Sequence, residues 1–253
     1  MYRLDPTYST HMAWLWPLLA APFVGSFLGV LIRRLPARRP VMLGRSECDR
    51  CGARLEALDL VPLLSFAVLR GRCRRCGEPI SPFHWQVELA ALALAAAAAM
   101  AAVCPPVLWL DCGLGWALLA LAWIDFETMT LPDAITLPLL VAGLCATAWL
   151  EPGMVIDHVV AAALGYAVLR GAGVIYRFVR GRIGIRAGDA KLLAAIGAWV
   201  GTGGLAIVIP GAALVGFIAA GLIWLRGAGL RTRTAVPFGA CLALAGWTVR
   251  LVS

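Results

Sequence analysis

The sequence predicts an all-α polytopic membrane protein of about eight transmembrane helices, with a small four-cysteine domain after the first helix. Hydrophobic residues make up 61% of the 253 residues and charged residues only 14%, whereas soluble domains average about 45–50% and 25%. The apolar runs are continuous rather than alternating, which favours membrane helices over a barrel. Basic residues cluster in a few loops, which is typical of cytoplasmic loops in membrane proteins.

The first apolar run, 13–32, predicts the first transmembrane helix, at the end of an N-terminal segment 1–32. A signal peptide is the alternative for such a run, and a signal peptide carries its basic residues before the apolar stretch. Here the basic residues follow it, at Arg33, Arg34, Arg38 and Arg39. We therefore interpret the run as a retained helix whose N-terminus lies outside the cytoplasm.

Residues 33–84 form the main polar region and predict a cytoplasmic domain, because they contain 11 of the 21 arginines. Residues 85–253 then predict a seven-helix membrane domain. Its expected spans are 85–103, 107–124, 134–150, 155–176, 192–200, 205–225 and 235–251. The 192–200 span is short for a membrane helix. With these spans every arginine-rich loop falls on one side, so the helix count and the positive-inside rule agree.

The net charge of +8 raises the alternative of a nucleic-acid-binding protein. The arginines, however, lie between apolar runs, where the positive-inside rule accounts for them. No groove-reading motif accompanies them. The sequence therefore indicates membrane lipid, and no nucleic acid, as the partner of its basic loops.

Four cysteines in the polar region have the spacing C-x2-C-x21-C-x2-C, at Cys48, Cys51, Cys73 and Cys76. This spacing is close to that of four-thiolate zinc sites. Two disulfides are the alternative, but the predicted cytoplasmic location is reducing. Four protein ligands close the coordination sphere, so we predict a structural zinc ion. The cysteines at 104, 112, 145 and 241 lie in or beside spans and are interpreted as packing residues.

Two acidic residues, Asp125 and Asp189, stand at predicted helix ends on the cytoplasmic face. Charged groups at such positions are costly and tend to be functional. Two carboxylates that share one proton can activate water, one as general base and one as acid. The pair therefore predicts peptide-bond hydrolysis beside a membrane-embedded substrate. Capping or snorkelling is the alternative for Asp125 taken alone.

Neighbouring charged residues have simpler interpretations. Asp133 follows a proline and is expected at a helix N-cap or in a first turn. Glu127 is expected in a solvated loop. Lys191 could keep Asp189 ionised or could simply mark the cytoplasmic side. Serine-nucleophile, H-E-x-x-H and G-x-G-x-x-G patterns with the required context are absent from the sequence.

With these motifs the chain resembles the type IV prepilin peptidases, also called leader peptidase/N-methyltransferases, which are intramembrane aspartyl proteases with a Gly-x-Gly-Asp motif. The resemblance covers nearly the whole chain. It rests on "GSFLGVLIRRLP" (25–36), the four-cysteine stretch 48–81, "VELAA" (87–91), "DFETMTLPD" (125–133) and "GDAKLLAAIGAWVG" (188–201). Two positions depart from the family pattern: Gly29 stands where asparagine is usual, and Arg186 where the motif has glycine.

The resemblance implies that Asp125 and Asp189 are the catalytic pair of a bacterial inner-membrane enzyme. It implies cleavage of type IV prepilins or type II secretion pseudopilins after a glycine, on the cytoplasmic side. In bifunctional members the new N-terminal residue is then methylated with S-adenosylmethionine. The cofactor-binding residues for that step are not apparent in the sequence.

Two rival functions stay open at the sequence level. A proton-coupled transporter could use Asp125 and Asp189 as relays. Transporters usually place such groups near the midplane and show internal repeats, which this sequence does not. A zinc-stapled membrane scaffold is the second rival, and it leaves the two aspartate motifs unexplained.

Overall fold

A computed structural model describes residues 11–41, 50–52, 62–63, 66, 68–69, 71–181, 186–225 and 237–252. Within these ranges the regular structure is helical, and pairing of extended chain is limited to an isolated antiparallel bridge between Arg72 and Pro79. Six helices are long and apolar enough to cross a membrane. The prediction of an all-α, multi-pass membrane protein is thus confirmed. The chain forms two compact units, 1–116 and 117–253.

In the described part of the chain, the first unit contains two complete helices. A short 3-10 turn, His11–Trp14, leads into α1, and a third helix, α3, runs on into the second unit. The bounds are α1 Leu15–Arg34, α2 Phe83–Ala101 and α3 Pro105–Thr128.

Helices α1 and α2 pack closely through glycines of α1. A Cβ atom on Gly25 would lie 2.6 Å from the Cα atom of Glu88, and one on Gly29 would lie 2.8 Å from Nδ1 of His84. Small residues at such crossings allow membrane helices to approach without side-chain interference. The buried carboxylate of Glu88 accepts a 2.8 Å hydrogen bond from the backbone N–H of Leu63. This bond ties part of the polar region to the membrane helix.

The second unit contains the end of α3 and four further helices. A short 3-10 turn, Pro152–Met154, connects the first two of them. The bounds are α4 Asp133–Leu150, α5 Val155–Arg180, α6 Ala187–Leu225 and α7 Phe238–Val252.

Helix α6 is broken at Gly201, which has φ 69° and ψ −176°. Only glycine adopts this conformation readily, since it lacks a Cβ atom. The carboxylate of Asp157 accepts hydrogen bonds from the N–H and the hydroxyl of Thr202 and so caps the helical segment after the break. The sequence predicted two spans separated by a turn at 201–204; the structure reduces that turn to a single residue.

The segment of α6 before the break is the centre of the second unit. Nearly every residue from Asp189 to Trp199 is buried. Glycines on three neighbouring helices contact it: Gly143 of α4 touches Trp199, Gly165 of α5 touches the Leu193 carbonyl, and Gly246 of α7 touches Ile196. A helix segment that is apolar on all sides is expected to be buried by its neighbours, as this one is.

Two of the helix ends that differ from the prediction bring the candidate acids Asp125 and Asp189 inside helices. Helix α3 continues to Thr128 instead of ending at Ile124, and the Thr128 hydroxyl donates to the Ile124 carbonyl. Glu127 is therefore an exposed helical residue that accepts a 3.0 Å bond from Trp123 Nε1, not a loop residue. Helix α6 begins at Ala187, five residues before its predicted start. Hydropathy locates the end of an apolar run. The helix can continue beyond that point, because its backbone hydrogen bonds do not require apolar side chains.

Candidate active site

Asp125 lies in the last turn of α3 and is buried, with only 2% of its surface exposed. Its Oδ2 atom accepts a 3.3 Å hydrogen bond from the backbone N–H of Ala240. Ala240 belongs to the first turn of α7, where backbone N–H groups have no partner within the helix. Helix N-termini of this kind favour negative charge. The start of α7 therefore stabilises the buried carboxylate.

Asp189 lies in the first turn of α6 and is also buried, with 6% exposed. Its Oδ2 atom accepts a 3.2 Å hydrogen bond from the backbone N–H of Arg186, the residue just before the helix. An acidic side chain at the third helical position that reaches back in this way satisfies an otherwise unpaired donor. Asp189 thus has a local capping role that is independent of any chemistry.

Arg186 contacts both carboxylates, through different groups. Its backbone N–H bonds Asp189, while its Nη1 atom lies 4.0 Å from Oδ1 of Asp125. The two acids, 64 positions apart in the sequence, therefore share one neighbourhood. Sequence reasoning named both acids, but it treated Arg186 only as a departure from a motif.

An apolar side chain, that of Leu131, packs next to both acids. A Cβ atom on Gly188 would lie 3.0 Å from the Leu131 Cβ atom, and one on Gly239 would lie 3.1 Å from its Cδ1 atom. Gly188 precedes Asp189, and Gly239 touches Asp125, so Leu131 fills the space beside both. Sequence analysis missed Leu131 and Gly239. The only signal was their position: Leu131 precedes a Pro-Asp pair, and Gly239 lies near the start of a predicted span.

Lys191 pairs with Asp133 and not with Asp189. Its Nζ atom lies 2.7 Å from both carboxylate oxygens of Asp133, in the first turn of α4. The pair is exposed, with 34% of the lysine side chain and 53% of the aspartate side chain accessible. The interpretation of Asp133 as a first-turn acid is confirmed, while the one in which Lys191 keeps Asp189 ionised is wrong.

Three of the four predicted metal ligands lie together in the described part of the first unit. The sulfur atoms of Cys51, Cys73 and Cys76 are all within 4.8 Å of one another. Zn–S bonds of about 2.3 Å in a tetrahedron place sulfur atoms about 3.8 Å apart, so the cluster fits a metal ion with small adjustments. The fourth predicted ligand, Cys48, lies outside the described residues.

The backbone around Cys73 forms a tight turn suited to thiolate ligands. The Gly77 N–H donates to the Cys73 carbonyl, and the Cys73 N–H donates to the Glu78 carbonyl, each at 2.9 Å. Gly52 and Gly77 follow the two cysteine pairs and have φ values of 64° and 70°. Glycine is favoured at such positive values. The positive φ values thus explain why glycine follows each cysteine pair.

Comparison with known families settles the relationship of the chain. Residues 19–102 match the sequence profile of the bacterial peptidase A24 N-terminal domain, and residues 112–225 match that of the type IV leader peptidase family. The chain belongs to the type IV leader peptidase family. The resemblance inferred from the motifs is confirmed.

Relatives of this type IV leader peptidase are similar along nearly their whole length. A protein of Burkholderia pseudomallei strain 1026b is 38% identical, over 94% of this chain and 84% of its own. One of Aeromonas hydrophila is 38% identical, over 95% and 92%, and one of Pseudomonas aeruginosa is 34% identical, over 99% and 94%. Each is named a prepilin leader peptidase/N-methyltransferase. No solved structure matches the chain.

Proposed function

We propose that this type IV leader peptidase is an aspartyl endopeptidase that removes the leader of type IV prepilins or type II secretion pseudopilins. One observation carries the proposal: two buried carboxylates, Asp125 and Asp189, lie at the ends of membrane helices and share the contact with Arg186. Burying two acids at a membrane edge costs free energy, and acids in such positions tend to be functional. The names of the relatives supply the substrate class.

The pair can hydrolyse a peptide bond without a covalent intermediate. One ionised carboxylate takes a proton from water, whose oxygen attacks the scissile carbonyl carbon, while the protonated partner gives its proton to the carbonyl oxygen. The first carboxyl then protonates the amide nitrogen, and the second takes a hydroxyl proton as the C–N bond breaks. The products are a leader ending in a carboxylate and a protein with a new N-terminal amine.

The proposed topology places this reaction at the cytoplasmic face of the bacterial inner membrane. Counting the two segments of α6 separately, and including the short α7, gives eight crossings. Both acids then face the side of the arginine-rich loops, which is the cytoplasmic side. The substrate's apolar segment can stay in the lipid while its leader and its scissile bond, after a glycine, reach the two acids. In this arrangement 33–84 is the cytoplasmic domain and 85–253 the peptidase domain.

The proposal also includes a second activity, methyl transfer, and a structural zinc ion. The relatives' names support methyl transfer from S-adenosylmethionine to the new N-terminal amine. That transfer would release S-adenosylhomocysteine and a proton. The cysteine cluster supports zinc held by Cys48, Cys51, Cys73 and Cys76. With four protein ligands the ion would stabilise the cytoplasmic domain and would have no open position for catalysis.

A cleavage assay in membranes tests the proposed pair. A prepilin with a Gly–Phe junction is incubated with the wild type, Asp125→Asn and Asp189→Asn, each checked for membrane insertion. We expect both variants to lose at least about 10²-fold in rate, the lower range for removal of a general acid or base. Glu127→Gln is the matched control, because Glu127 is on the same helix but exposed and bonded to Trp123.

Either of two results would contradict the proposal. Cleavage by an inserted Asp189→Asn protein at the wild-type rate would exclude the pair as the catalyst. Proton-driven flux in liposomes, with no cleavage by the wild type, would instead favour a transporter that uses the same two acids.

A further inference from the structure

The guanidinium of Arg186 treats the two acids unequally. Its Nη1 atom lies 4.0 Å from Oδ1 of Asp125, within ion-pair distance, whereas Asp189 is bonded by the backbone N–H of this residue and feels the guanidinium only from farther away. The Arg186 side chain is 47% exposed and the Asp125 side chain 3%. The cation therefore lies at the border of the site, with one buried carboxylate as its neighbour.

Few other charged or titratable groups face Asp125 in the described part of the second unit. From α6 come Arg186 and Asp189, and from α7 comes the thiol of Cys241 together with the Ala240 N–H. The segment 129–132 contributes no charged side chain. Lys191 is bound by Asp133 and Glu127 by Trp123. Among the described residues, Arg186 is thus the cation in contact with Asp125.

A positive charge at this distance favours the ionised form of the carboxylate that it contacts. When two carboxylates share one proton, the proton then resides mainly on the other. We propose that Arg186 is a positioning residue that keeps Asp125 ionised and the shared proton on Asp189. Asp125 is then the general base toward water and Asp189 the acid toward the carbonyl oxygen. This inference rests on the proposed peptidase function.

At position 186 this chain has arginine where the Gly-x-Gly-Asp motif that it resembles has glycine. A glycine would still donate its backbone N–H to Asp189, but it would place no charge beside Asp125. The arginine should therefore extend activity toward lower pH than the same chain would have with glycine.

The pH dependence of prepilin cleavage tests the inference. The rate constant kcat/KM is measured between pH 4 and 9 for the wild type, Arg186→Gln, Arg186→Gly and Arg186→Lys. Loss of the charge should move the acidic limb of the profile about one pH unit upward, as expected for one charge at a half-exposed site. The lysine variant should restore the wild-type limb. All four proteins keep the backbone N–H that bonds Asp189. A shift of the acidic limb therefore reflects the change of side chain at position 186.

Two controls separate the possible outcomes. Arg180→Gln removes a charge from an exposed position near the same loop, and its acidic limb should stay in place. An unchanged limb in Arg186→Gln and Arg186→Gly overturns the inference, and so does an equal shift in Arg180→Gln, which would indicate a general surface effect. The proposed peptidase function would survive either of these results, provided that Asp125→Asn and Asp189→Asn fail to cleave in the same assay. If those two variants cleave normally, it is the proposed function itself that is overturned.

Discussion

Gly239 touches the carboxylate of Asp125: a Cβ atom at position 239 would lie 2.8 Å from the Oδ2 atom. Helix α7 begins against this carboxylate, and the Ala240 N–H bonds the same oxygen. A methyl group would therefore have to displace either the carboxylate or the helix start.

We expect Gly239→Ala to slow cleavage at least about tenfold, because small misplacements of catalytic groups are costly. We also expect it to destabilise the protein by about 1–3 kcal/mol, which is typical of overpacking. Gly221→Ala is the control, since a Cβ atom there meets nothing within 4 Å. That substitution should leave both cleavage and thermal stability in detergent unimpaired. If Gly239→Ala cleaved at the wild-type rate, the Asp125 carboxylate would have moved away from the added methyl group without loss of activity, which would contradict this expectation.

The ion pair between Lys191 and Asp133 should matter little to catalysis. Both partners are substantially exposed, and exposed ion pairs contribute about 0.2–1 kcal/mol. A double-mutant cycle with Lys191→Met and Asp133→Asn, followed by thermal unfolding, should give a coupling energy in that range. Each variant should cleave within about threefold of the wild type. A folded Lys191→Met protein with activity lowered 100-fold would mean that the lysine acts on Asp189 during the reaction.

The break in α6 should tolerate only glycine. Position 201 has φ 69° and ψ −176°, and a Cβ atom there would lie 2.5 Å from Oδ2 of Asp157. Gly201→Ala should cost about 1–3 kcal/mol from backbone strain and disturb the cap on Thr202. Its midpoint of thermal unfolding should fall, while that of Gly203→Ala should not, because position 203 has open space around it. Equal midpoints for the two variants would contradict this account.

Zinc content should depend on the cysteine cluster. We expect about one zinc ion per chain in the purified protein, since four thiolates form a closed site. Cys73→Ser should lose it, and the proposed cytoplasmic domain should become more sensitive to proteolysis. Cys145→Ser should keep it, because Cys145 lies in α4, outside the cluster. Full zinc occupancy in a Cys73→Ser, Cys76→Ser double variant would exclude the cluster as the site.

The sequence was most informative where one residue type carries the signal over a long segment. Apolar runs located the membrane helices, and the basic loops predicted that Asp125 and Asp189 lie on one face. The end of α3 was predicted wrongly, since Asp125 and Glu127 interrupt the apolar run without interrupting the helix. Of the two interpretations of Lys191, the one that paired it with Asp189 does not agree with its contact with Asp133. Two acids were within reach of the lysine, and only the three-dimensional arrangement decides between them.

Leu131 and Gly239 could not be predicted as neighbours of the two acids. They are more than 100 positions apart, and neither belongs to a periodic pattern that would bring them together. Their proximity depends on where α7 begins relative to the end of α3. The residues of the site that carry charge were recognisable from the sequence, whereas those that shape it by contact were not.

The glycines between α5 and α6 restrict how the site can move. A Cβ atom on Gly165 would lie 2.8 Å from the Leu193 carbonyl oxygen, and one on Gly197 would lie 2.7 Å from that of Ala161. With backbone against backbone there is no layer of side chains whose rotation would let α6 slide. Asp189 is therefore expected to stay stationary on the nanosecond-to-microsecond timescale of loop motion. Asp189 is then the fixed reference of the candidate site, to which a substrate peptide would have to adapt.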